Sequence, residues 1–116
     1  MTIKRAERLT GYEIRRLRDD RGLATFGAFQ NDELVMKASG RVEWMALRTL
    51  VERVYGLHTR IVMEQYEWRC ARCRSRRPLH PHHRRYRSHG GTHRIENLEP
   101  VCWDCHRMIH QLERSL

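Results

Sequence analysis

Residues 70–110 read CARCRSRRPLHPHHRRYRSHGGTHRIENLEPVCWDCHRMIH, and this stretch decides what the chain folds around. It holds all four cysteines and seven of the eight histidines. Cys70-Ala71-Arg72-Cys73 and Cys102-Trp103-Asp104-Cys105 are two C-x-x-C pairs separated by 28 residues. Two intervening residues let both thiolates of a knuckle reach one tetrahedral ion at about 2.3 Å. Two knuckles then complete a four-thiolate shell with no open position, which is how structural zinc is held. A redox C-x-x-C would open a helix in a thioredoxin-like βαβ pattern, and the flanking residues offer none. Cys70, Cys73, Cys102 and Cys105 are therefore expected to bind structural zinc and to tie the start of the C-terminal region to its final helix.

The histidines between and after the knuckles form a second constellation. His82 and His83 are adjacent, Asn97 follows a Gly-Gly loop, and His106 and His110 stand four apart on an expected helix from about Trp103 to Arg114. Spacing of i, i+4 stacks two imidazoles one turn apart on one helix face, a common way to hold a transition metal. A lone histidine is most often a surface or satisfied core residue. Five polar residues in this order around two zinc knuckles are harder to read that way.

Taken together, Cys70-x-x-Cys73, His82-His83, Arg87-Ser88-x-Gly90-Gly91, Glu96-Asn97-Leu98 and Cys102-x-x-Cys105-His106-x-x-x-His110 resemble the HNH nucleases, also called ββα-metal or His-Me finger nucleases. The resemblance covers roughly Trp68–His110. It implies a strand carrying His82 and His83, a loop, a short strand after Asn97, and a helix carrying His106 and His110. By the same resemblance His83 is the general base, while His82, His106 and His110 hold a catalytic divalent ion. Asn97 either steadies the loop and orients the base or contacts the metal. The implied reaction is DNA phosphodiester hydrolysis to 5′-phosphate and 3′-hydroxyl ends. An imidazole with a pKa near 6.5 suits water activation at neutral pH. An all-imidazole shell is a poor host for magnesium, so nickel, cobalt, manganese or zinc should bind at least as well.

Around this core the chain is basic and of single-domain length. Its 116 residues carry a formal charge of +9, and only Lys4 and Lys37 among the 23 basic residues are lysines. Arginine matches two phosphate oxygens at once, so nucleic acid is the first partner to consider. Arg84, Arg85 and Arg87 follow the His83 position and are candidates to clamp the DNA backbone, a solvated basic loop being the bland reading. His80, His89 and His93 have no motif role and read as solvated loop residues. The opening MTIKRAERLTGYEIRR has no apolar signal core, and no stretch reaches bilayer-spanning length, so no membrane partner is expected and the cytoplasm is the expected compartment.

Residues 1–65 resemble nothing familiar. Thr10 and Glu13 form a capping-box pattern that predicts a short helix through Tyr12, Ile14 and Leu17, ending before Gly22. Asn31-Asp32 could turn a hairpin within residues 23–38, with a helix as the alternative. Leu47, Leu50, Val51 and Val54 predict a helix from about Arg41 to Tyr55, with Ser39 as cap and Gly56 at its end. Residues 60–66 are a strand or an extension of that helix. The expected class is α+β: residues 1–65 a mainly helical scaffold with a possible hairpin, and 66–116 a ββα-metal nuclease domain with its four-cysteine zinc site. The rival reading is a noncatalytic zinc-ribbon module binding nucleic acid. A homodimer, or a place in larger phage or restriction machinery, would suit so short a nuclease.

Overall fold

The computed structural model describes residues 1–114. The N-terminal part begins with helix α1 (Ile3–Thr10), whose first turn is closed by the Thr2 side chain accepting from the Arg5 N–H at 3.1 Å. Gly11 ends it at φ +80°, in the left-handed region where a glycine is unstrained. This overturns the helix expected over Tyr12–Leu17. The Thr10 hydroxyl donates back to the Ala6 carbonyl at 2.7 Å, so it finishes a helix rather than starting one. Glu13–Leu17 is instead strand β1, of which only Ile14 is fully buried. Tyr12, Ile14 and Leu17 fit either period over so few residues, and pairing with the next strand decided the outcome.

β2 (Ala24–Gln30) and β3 (Glu33–Gly40) form the hairpin, and the antiparallel sheet runs β1-β2-β3. Asn31 and Asp32 both take positive φ, 51° and 64°. That pair of angles is the tight turn whose twist matches the flanking strands, and Asn and Asp tolerate it better than most residues. The sheet is covered on one face by helix α2 (Glu43–Gln65), which buries Leu47, Leu50, Val51 and Val54 against Phe26, Ala28 and Ala38.

α2 is longer than the sequence suggested. Ser39 lies in β3, sharing a 2.7 Å hydrogen bond with the Thr25 hydroxyl, and Val42 opens the helix without a side-chain cap. Gly56 sits inside the helix, and residues 60–65 are its extension. The buried stripe simply continues through His58, Val62 and Met63, which outweighs one poor helix former. At 1.5 Å per residue the 23 residues span about 34 Å, long enough to reach from the N-terminal sheet to the C-terminal region.

The C-terminal region is the expected strand–loop–strand–helix. β4 (Leu79–His83) pairs antiparallel with β5 (Leu98–Cys102), with His82 opposite Glu99 and His83 opposite Leu98. The connecting loop carries two short 3₁₀ turns, Arg87–His89 and Ile95–Asn97, and α3 (Trp103–Arg114) follows. Among the described residues no helix is long and apolar enough to cross a membrane. The class is α+β, with a three-stranded sheet and hairpin accompanying the two N-terminal helices.

Candidate active site and metal centre

The first knuckle is shaped by local backbone bonds. The Cys70 N–H donates to the Ser75 carbonyl at 2.9 Å, and the Arg74 N–H returns to the Cys70 carbonyl at 2.9 Å. The second knuckle spans the end of β5 and the first turn of α3. The four sulfur atoms lie within 4.8 Å of one another, and all four cysteines are free thiols. Cys73 and Cys102 are 3.8 Å apart, about the edge of a tetrahedron with 2.3 Å metal–sulfur bonds. Backbone N–H groups of Arg72 and Cys102 both point at the Cys70 sulfur at 3.4 Å. The Ser75 side chain and backbone hold the Cys73 thiol down to about 6, whereas burial and the neighbouring thiols push Cys105 up to about 12. Four sulfurs this close cannot all ionise without a cation to share. The set fits a structural metal such as zinc.

The histidines gather where β4 meets α3. His82 is 5% exposed, with its ring 5.5 Å from that of His106 and 6.4 Å from that of His110. His106 and His110 turn their Nε2 atoms toward each other at 2.8 Å, as the one-turn spacing anticipated. Burial depresses the pKa of His82 and of His106, so both favour the neutral form that a metal requires. These side chains and His83 line a cleft of about 420 Å³, together with Tyr86, Arg87 and Ser88. Tyr86 stacks on His110 at 5.5 Å, and its hydroxyl donates to Glu113.

His83 faces the same cleft but is held from behind. Its Nε2 is 3.0 Å from Nδ1 of His93, and the Tyr55 ring of α2 stacks on His93 at 4.5 Å. His93 is 2% exposed rather than solvated, contrary to the sequence reading. Its N–H donates to the Leu9 carbonyl at 2.9 Å and its carbonyl meets His58 Nδ1 at 2.8 Å. His58 is itself buried, with Nε2 2.7 Å from the Tyr12 hydroxyl. Burial, then the positive neighbours, lowers both His83 and His93 to about 4. His93, Tyr55 and His58 were missed because only tertiary packing brings them together behind His83. His80 was also read as solvated; it stacks on Trp103 at 4.1 Å and meets the His106 ring edge-on at 4.2 Å. His89 is exposed, as expected.

Asn97 is occupied by the loop backbone. Its Oδ1 accepts from the Arg85 N–H at 2.8 Å, and its Nδ2 donates to the carbonyls of Thr92 at 2.7 Å and Arg85 at 3.2 Å. Gly91 is required at the crossing, since a Cβ there would lie 1.8 Å from the Arg85 carbonyl oxygen. The three arginines part company. Arg84 reaches the Tyr66 hydroxyl and approaches Glu99, and Arg85 donates to the His89 carbonyl. Arg87 alone of the three borders the cleft beside His83. Glu99, buried behind His82, accepts two hydrogen bonds from Arg72 at 2.7 and 3.2 Å, an anchor that the sequence did not mark.

No curated protein and no solved structure matches the chain. The family model described as HNH endonuclease matches residues 70–112, the stretch that runs from the first knuckle through α3. A domain of this kind implies a nucleic-acid partner. The boundaries of the match fall on the elements that carry both the thiols and the cleft, so the similarity covers residues 70–112 and leaves 1–69 outside it.

Proposed function

We propose that the protein is a metal-dependent DNA endonuclease, hydrolysing phosphodiester bonds to 5′-phosphate and 3′-hydroxyl ends. The observation that carries the reading is that one cleft collects His82, His83, His106 and His110 within the HNH match. His82, His106 and His110 are the residues to hold a divalent ion, which when bound supplies Lewis-acid stabilisation of the phosphoryl and leaving oxygens. Their all-nitrogen donor set favours nickel, cobalt, manganese or zinc over magnesium.

His83 is the general base. With Nε2 engaged by His93, its Nδ1 has no protein partner among the described residues and is left for water. A proton on Nε2 donated to His93 fixes the tautomer in which Nδ1 is the basic atom. Burial and nearby positive charge keep the ring neutral, ready to accept a proton from the attacking water. Asn97 holds the loop that frames the base. Arg87 offers its guanidinium to a phosphate beside the scissile one, while Arg84 and Arg85 supply positive charge further along the loop. We place the unit boundary near residue 65, with residues 1–65 as scaffold and 66–116 as the nuclease unit working in the cytoplasm, alone, as a homodimer or within phage or restriction machinery.

The test is plasmid cleavage by purified protein across a metal panel, wild type beside His83→Ala. Metal-dependent nicking or linearisation that the substitution removes is the expected result. DNA binding without cleavage in any metal would instead favour the noncatalytic zinc-ribbon module. Cleavage far better in magnesium than in every transition metal would argue against the three-histidine ligand set.

A further inference from the structure

A second groove of about 390 Å³ opens beside the catalytic cleft, between α1 and the first half of α2. Arg5 lines it from α1, Trp44, Arg48 and Glu52 from α2, and Arg87 and His93 from the loop between β4 and β5. Arg87 borders the catalytic cleft as well, so the two hollows share that residue.

The charge of this groove favours a polyanion. Three arginines face one carboxylate, and Glu52 stands 3.9 Å from Arg87 with both side chains more than half exposed. Such a pair contributes little and leaves Arg87 available to another anion. No ion pair engages Arg5 or Arg48 among the described residues. Trp44, in the first turn of α2, is 53% exposed, and no ring or hydrogen bond engages its indole among the described residues. Met1, Leu9 and Val51 share the lining with Trp44, and the excess of three guanidinium groups over one carboxylate favours a polyanion over a neutral partner surface. Such a lining is the arrangement that tracks a single strand, in which guanidinium groups meet phosphates and an aromatic face takes a base.

We infer that the α1–α2 groove carries an unpaired stretch of the nucleic-acid strand away from the catalytic cleft. Phosphates lie on Arg5, Arg48 and Arg87, and one base stacks on Trp44. The inference rests on the nuclease reading for the origin of that strand, and it gives residues 1–65 a role in gripping substrate.

The experiment is fluorescence anisotropy with a labelled single-stranded oligonucleotide and a blunt duplex, at several salt concentrations and without added divalent cation. Wild type is compared with Arg5→Ala/Arg48→Ala, Trp44→Ala and Trp44→Phe. The altered side chains are exposed, and thermal melts confirm that each variant folds. The double arginine variant should bind the single strand more weakly and flatten the slope of log affinity against log salt by about 1.4, about 0.7 per lost contact. Trp44→Ala should weaken single-strand binding about tenfold, with Trp44→Phe retaining most of it and the duplex little changed. An unchanged salt slope, an unchanged affinity in Trp44→Ala, or equal losses on the duplex would each overturn the inference. Plasmid cleavage run in parallel separates the two readings. Protein that never cuts but shows these binding losses keeps the groove and loses the nuclease, whereas protein that cuts while the variants bind normally keeps the nuclease and loses the groove.

Discussion

His93 shows how far a residue's role depends on what folds against it. Its neighbours in sequence are polar and glycine-rich, so it reads as a loop histidine, yet α1 and α2 enclose it and place it against His83. By contrast the gathering of His82, His83, His106 and His110 in one cleft was legible, because their spacing lies along one continuous stretch. The buried pair carries a consequence for stability. Both rings are neutral in the fold, with pKa values near 4 against about 6.5 unfolded, so the unfolded chain binds more protons between those limits. Their contribution is fully present above about pH 6.5 and is lost as pH falls toward 4. Melting temperature should therefore drop across that window, and less steeply in His93→Gln; equal slopes in the two proteins would contradict the assignment.

Among the elements, α2 was located by its apolar stripe but misjudged in length. A glycine near the end of a periodic segment is a common stop signal, and nothing local distinguishes Gly56 from one. The structure leaves open space where its Cβ would be, and its φ is not in the left-handed region. Gly56→Ala is accordingly expected to stabilise the protein by about 1 kcal/mol, read as a raised melting temperature with cleavage unchanged. The hairpin was legible because Asn31-Asp32 names its own turn. β1 was not, since the Thr10–Glu13 pattern suits a helix start equally well and only the register with β2 excludes it.

At the scale of the whole molecule there are two cores of unequal strength. The N-terminal one joins α1, the three-stranded sheet and α2 through residues such as Phe26, Leu50 and Val54. The other centres on Cys70, Val101 and Cys102, with Leu79, Cys105 and Ile109 packed partly against it. A core this small offers little apolar burial, so a metal shared by the four thiols would supply much of the folding energy of its region. Stripping it with a strong chelator should abolish amide protection across residues 70–112 while the sheet and α2 amides beside it stay protected, as hydrogen exchange can report. Uniform loss or uniform retention would contradict this division. The four-cysteine staple was readable from sequence, whereas the dependence of its neighbour on α1 and α2 was not. That dependence limits what can be borrowed from the protein. The loop at His93 is tied through its N–H to Leu9 and through its carbonyl to His58, contacts that lie outside the motif stretch. A designer who grafts residues 66–116 onto a foreign DNA-binding protein transplants the cleft histidines but leaves behind the wall that packs against His83, so a chimera that keeps this arrangement has to inherit α1 and α2 along with the motif.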